Sequence, residues 1–465
     1  MKKSLMAVLF AGTLFFASCT QEVVIDDAQL QEIVDAAVAA ALQNYPNTQA
    51  IADAAAAAAT QAVNSGIASL DINGAIQAAL DAADAIANPE VVPVGNGGVF
   101  QITTNTTWTN DKIWFMSGKV VVTSGATLTI EEGTIVKAAG GQGSNATVLV
   151  IAQGGKINAV GTAAKPIIFT DFQDQITYAH GGVSPNRSLG DRGKWGCVVI
   201  LGKAKVGEDG GTEDIEGITS GFDFTVYGGS DDADSSGVLK YVSIRHTGTQ
   251  VAGGDELQGL TMGGVGSGTV VENIELLGSN DDGIEIFGGS VNVSNLVIYG
   301  HKDDGIDLDE AYKGTISNAL IYMAADSDTA FEIDGTEDST NTIVGEYTIQ
   351  NVTVYGNLDA ESTFTLADYK ATPTGVNKNI AYIDFKDGSG YKGIAANTYS
   401  GAGTTTAASK LFFDSIYYIG GSANTKTTVL NGKASEASAT WLTVTSTKPS
   451  SAGADESVFG WTQVK

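Results

Sequence analysis

The chain has 465 residues, 58 of them glycine and only 7 proline, and a formal net charge of −28. A field of that sign repels nucleic acid and anionic lipid surfaces, so a nucleic-acid partner is excluded. Two cysteines, Cys19 and Cys197, and three scattered histidines, His180, His246 and His301, supply neither a disulfide framework nor a histidine-based zinc site.

The chain opens with Met1-Lys2-Lys3, an apolar run from Leu5 to Phe16, and then Ala17-Ser18-Cys19. A basic start, an apolar stretch and small residues before a cleavage point make an export signal, and the run is too short to span a bilayer. The segment resembles a bacterial lipoprotein signal, although Phe16 stands where that box usually carries leucine. The resemblance implies removal of residues 1–18 and a membrane anchor through lipid on Cys19, with several acyl chains for stable attachment. The alternative is an ordinary secretory signal cut near Ser18. The acids behind it, Glu22 and Asp26-Asp27, resemble surface-export signals of Bacteroidetes lipoproteins and imply an outer-membrane, outward-facing location.

Residues 19–92 form the next segment, rich in Ala and almost free of aromatics. Leu30, Ile33, Val34, Ala37, Val38 and Ala41 recur at helical spacing. Asn47-Thr48 is placed to cap a helix over Ile51–Val63, and Ala75–Ile86 reads as a third. Alanine favours helix but buries little surface, so the segment reads as a helical spacer. Self-association through residues 27–88 is the alternative. Pro89, Pro93 and Gly95-Asn96-Gly97-Gly98 close it, which places the body at residues 93–465.

That body repeats. Asn273, Asn295, Asn318 and Asn351 fall at one point of a frame of β-branched residues, 22, 23 and 33 residues apart. A second frame runs beside it: Asp281-Asp282-Gly283-Ile284-Glu285-Ile286 returns as Asp303-Asp304-Gly305-Ile306-Asp307-Leu308. A period near 22 with several strands in each fits one coil of a parallel β-helix. The repeated Asn is then expected to form an amide ladder inside the coil's turn.

The segments Gly125–Thr134, Gly154–Thr162, Pro166–Thr170 and Gly259–Thr269 are similar to coils of right-handed parallel β-helix proteins of Bacteroidetes, which share the pectate-lyase-like fold. The fold class expected is therefore all-β, a right-handed parallel β-helix behind a lipoprotein signal and an Ala-rich spacer. The resemblance carries no particular activity.

The acidic frames are the sharpest chemical feature. Asp281, Asp282, Glu285, Asp303, Asp304 and Asp307, with Asp309 beside them, supply the hard oxygens that suit calcium. Asp-Gly turns with side chains capping local backbone are the alternative. Asp232-Ala233-Asp234 resembles half a calcium loop, with Ser243 where the closing Glu belongs. His301-Lys302-Asp303-Asp304 faintly resembles a polygalacturonase site, but that family's Gly-His-Gly and Arg-x-Lys elements are missing. No catalytic residue is assigned, and Cys197 in its apolar strand reads as a small core residue. The functional expectation is a cell-surface protein that binds or structures envelope material, glycan or protein. A carbohydrate-active enzyme, a polysaccharide lyase or glycoside hydrolase, is the alternative.

Overall fold

The computed structural model describes residues 88–218, 222–249, 257–337, 345–357, 360, 363–394, 399–400, 410–420, 424–431 and 439–465. The signal, Cys19 and the spacer helices lie outside the described residues. The chain divides into two compact units. One comprises residues 1–91, 111–113 and 175–186; within it Thr177 caps a short turn at Tyr178–His180, and the Tyr178 hydroxyl donates to the Lys112 carbonyl at 2.5 Å. The other comprises residues 92–110, 114–174 and 187–465, and it is built from stacked coils. Among the described residues the first strand is Glu90–Val94.

Each coil contributes one short strand and one long one. Among the described residues the short strands form a ten-stranded parallel sheet: Val99–Ile102, Lys119–Val122, Val148–Ile151, Val198–Leu201, Leu260–Gly263, Ile284–Phe287, Ile306–Asp309, Phe331–Ile333, Thr365–Tyr369 and Gly390–Lys392. The long strands include Gly237–Arg245, Val270–Leu277, Asn292–Tyr299, Thr315–Tyr322, Glu346–Tyr355, Thr374–Ile383 and Leu411–Ile419. Alternation sends Ile274, Ile284, Ile286, Leu296, Ile306 and Leu308 into one continuous buried core. Each such side chain stabilises by about 1.5–3 kcal/mol. The glycine of the repeated Asp-Asp-Gly is there for space. A Cβ on Gly283 would sit 2.5 Å from Ile298 and 2.6 Å from the Gly305 carbonyl of the next coil.

The long strand is two strands joined at a corner. In early coils the halves are separate, as in Lys156–Val160 and Ile167–Asp171. Gly237–Arg245 pairs with the first through its front half and with the second through its back half. From there on a single left-handed residue turns the corner: Tyr241, Asn273, Asn295, Asn318, Asn351, Asn379 and Ser415, all with φ between 50° and 57°. Asparagine tolerates that backbone where other residues lose about 1–2 kcal/mol, which explains its place in the repeat. The amides bond from coil to coil: Asn295 Nδ2 donates to Asn273 Oδ1 (3.2 Å), and Asn318 Nδ2 donates to Asn295 Oδ1 (2.8 Å). The ladder does not run inside the coil as expected. It is largely half-buried on the outer side of the corner, because Val293 and Leu296 occupy the interior.

Two non-repeating pieces cover the outside. The C-terminal tail retraces the long strands: Gly453 N bonds Asn379 Oδ1 (3.0 Å), Asp455 N bonds Asn318 Oδ1 (2.7 Å), and Phe459 packs on Val297 and Leu320. A flap, residues 203–218 and 222–236, lies over the short-strand sheet and contains an antiparallel pair, Thr212–Asp214 with Val226–Gly228. Val206, Ile215, Phe224 and Tyr227 of the flap join Val150, Val199 and Leu201 of the sheet in a second apolar cluster. Cys197 is buried in that cluster, outside the coil's lumen, and burial pushes its thiol up to about 12.

A candidate cation site beneath the flap

One outward-facing row crosses the short-strand sheet from Lys119–Val122 onward. Register partners follow each other as Val121, Val150, Val199, Thr261, Glu285, Asp307, Glu332, Asp368 and Lys392. Apolar side chains meet the flap at one end, and acids take over from Glu285. Because the strand period is two, Asp309 faces the same side as Asp307, while Ile306 and Leu308 face the lumen.

The sheet brings the sequence candidates together. Carboxylate oxygens of Asp282, Asp304 and Asp307 lie within 4.8 Å of one another, as do those of Glu285, Asp307 and Asp309, and those of Asp281, Asp282 and Asp303. Asp282 and Asp304 also serve the turn. Asp282 Oδ1 accepts from the Asp304 amide (2.8 Å), and Asp304 Oδ1 accepts from the Thr329 amide (2.9 Å) and hydroxyl. Turn capping and clustering therefore coexist in the same side chains. Glu285 and Asp307 differ, because they sit in strands. Among the described residues their Oε2 and Oδ1 atoms have no hydrogen-bond partner, and the residues are only 5% and 8% exposed.

Burial and mutual repulsion push these acids up. Burial first, then neighbouring carboxylates, raises Asp282, Glu285 and Asp307 well above the ordinary range. Asp304 rises to about 7, mainly through burial, and Glu310 to about 8 for the same reason, despite a bond from the Tyr227 hydroxyl. Among the described residues neither Glu285 nor Asp307 has an ion-pair partner, whereas Lys370 pairs with Glu332 and Lys392 lies 3.8 Å from Asp368. Isolated buried anions are costly and must gain a proton or a cation. The donor set is all carboxylate oxygen in an irregular cage, which fits a hard ion such as calcium better than magnesium.

The other candidates resolve differently. Asp232 is bound by Lys313 and lies 3.8 Å from Lys205, and Asp234 accepts from the Lys203 amide, so that loop is already satisfied by lysine and backbone. His301 is buried and its imidazole is pushed down to about 3 by burial, which removes it as a proton carrier at neutral pH. Sequence reasoning missed a buried ionic group under the tail: Ser243 Oγ donates to Glu275 Oε2 (2.5 Å), Arg245 Nε donates to Ser243 Oγ (2.8 Å), and Gln463 N donates to Glu275 Oε1. Nothing in the period marks those residues.

Stacked parallel coils with a carboxylate row on the short-strand face define the architecture, and a family model described as a pectate-lyase-like beta helix domain matches residues 100–464. The chain belongs to the pectate-lyase-like β-helix family. No curated protein and no solved structure gave a match. Family membership fixes the scaffold of this pectate-lyase-like protein, while its chemistry has to be argued from the site.

Proposed function

We propose that this protein is an exported, lipid-anchored β-helix of the outer-membrane surface that binds or organises envelope material, glycan in particular, and carries calcium at its acidic row. The lipid reading rests on Lys2–Cys19 alone. The calcium reading is carried by one observation: two buried carboxylate oxygens, on Glu285 and Asp307, lie in a cluster of like charge without a hydrogen-bond partner among the described residues.

Calorimetry and thermal melting of the purified protein test it. Calcium is expected to bind in the range of about 0.1–1 mM, as extracellular sites do. At a hundredfold excess it should stabilise by about 2.7 kcal/mol. The pair Glu285→Gln with Asp307→Asn should abolish that response and stabilise the metal-free protein. Identical melting in calcium and chelator, with no binding heat, would reduce the acids to turn formers. A second reading, polysaccharide lyase, has one observation in its favour. The row ends in Lys392, and Lys370 pairs with its Glu332, and such lyases pair calcium with a basic residue. Glycans captured on an array by the calcium-loaded protein should therefore be followed for unsaturated cleavage products.

A further inference from the structure

We propose that the cation at the acidic row also pins the flap, so that ion binding clamps its acidic end to the sheet and ion removal releases it. This rests on the calcium reading above.

The flap is held in two unlike ways. At one end the contact is apolar, with Ile215 and Phe224 in the cluster over Val199 and Leu201, and with the Tyr227 and Phe287 rings 5.9 Å apart. Hydrophobic contact of this kind needs no ion. At the other end the flap brings acid to acid. Glu208 sits next to Gly207, whose carbonyl accepts from the Glu337 amide, and burial together with the Glu337 carboxylate raises Glu208 above the ordinary carboxylate range. Glu216 adds its charge to those acting on Glu285 and Asp309, and one of its oxygens is held by Gln258 Nε2 at 2.8 Å.

The flap's two lysines do not relieve this seam, because Lys205 is directed to Asp232 and the Lys203 ammonium lies beside Gly154. A few backbone bonds cross it: Gly207 N to the Glu310 carbonyl and Glu337 N to the Gly207 carbonyl, both 2.8 Å. Beneath the flap lie the unpartnered oxygens of Glu285 and Asp307. A cation seated on those oxygens turns the repulsion across the seam into attraction, since the flap's carboxylates then face a positive centre. Only the acidic end depends on the ion; the apolar end keeps the flap attached as a hinge.

Hydrogen–deuterium exchange of the whole protein at pH 8, with calcium and with chelator, tests the pin, with calorimetry alongside. Exchange at residues 207–214 is expected to rise at least tenfold on chelation, while the long strand Thr315–Tyr322 stays unchanged. Glu216→Gln should shrink the calcium-dependent change at 207–214 while binding heat persists. Binding heat with identical flap exchange in both buffers overturns the pin and leaves the cation site standing. Absence of binding heat overturns the cation reading, and the pin with it.

Discussion

Glu285 and Asp307 occupy the same row, on the same face of the same sheet, as Glu332 and Asp368, yet the two pairs are neutralised in different ways. The first pair is buried under the flap and, among the described residues, has no lysine. The second is only part-buried, and each member has one. Alternation along the strand decides only that all four point outward. The flap, a non-repeating insertion, decides which of them lose water, and lost water makes a charge expensive. Two like charges ~5 Å apart repel by about 3 kcal/mol at an effective dielectric near 20. The lysine-paired pair meets that cost within the chain, whereas the buried pair calls for a proton or an ion from outside.

The largest expected effect is on pH dependence. In chelator, the folded protein holds its buried acids at raised values, Asp304 at about 7 and Glu310 at about 8. It therefore binds more protons than the unfolded chain between the ordinary carboxylate range near ~4 and those values. Stability is then full at the acid end and falls as pH rises through 7–8, by on the order of a few kcal/mol. Urea unfolding from pH 4.5 to 8.5 measures this. Calcium should flatten most of the slope; a flat profile in chelator would erase the difference between the two pairs.

Next in size is a change on the same coils but away from the row. Asn295→Leu removes an acceptor from Asn318 and a donor to Asn273, and forces a left-handed backbone on leucine. The expected loss is on the order of 2–4 kcal/mol, equal in calcium and in chelator. A loss that appears only in chelator would mean that corner and row are one cooperative unit.

Much of the coil is legible in the sequence because it repeats. Asn273, Asn295 and Asn318 recur since each corner needs a residue that accepts positive φ. Asp282 and Asp304 recur since each turn offers the next coil's amide an acceptor. The period could not say that the Asn ladder lies outside, because it encodes spacing and not which side the corner turns to. Nor could it reveal that Glu285 is buried, since the flap and the tail that ends at Lys465 follow no frame. The partners of the Asp232 loop were hidden for a related reason: Lys205 and Lys313 are remote in sequence and brought close only by the fold.

The smallest effect sharpens the comparison most. Asp368→Asn removes one charge from the lysine-paired stretch of the row. Lys392 lies 3.8 Å away with about half its side chain exposed, 49%. An ion pair in that setting is worth roughly 0–1 kcal/mol, since solvent and salt screen it and two long side chains must be ordered to make it. The melting temperature should therefore move by no more than about 1–2 °C, a shift consistent with a fraction of a kcal/mol in a chain of this size. The calcium-induced stabilisation should stay at its wild-type value. If Asp368→Asn instead lowered that response as far as Asp307→Asn does, lysine pairing would not mark a boundary. The row from Glu285 to Asp368 would then act as one continuous cation-binding strip, with Lys370 and Lys392 as counter-ions that the metal displaces.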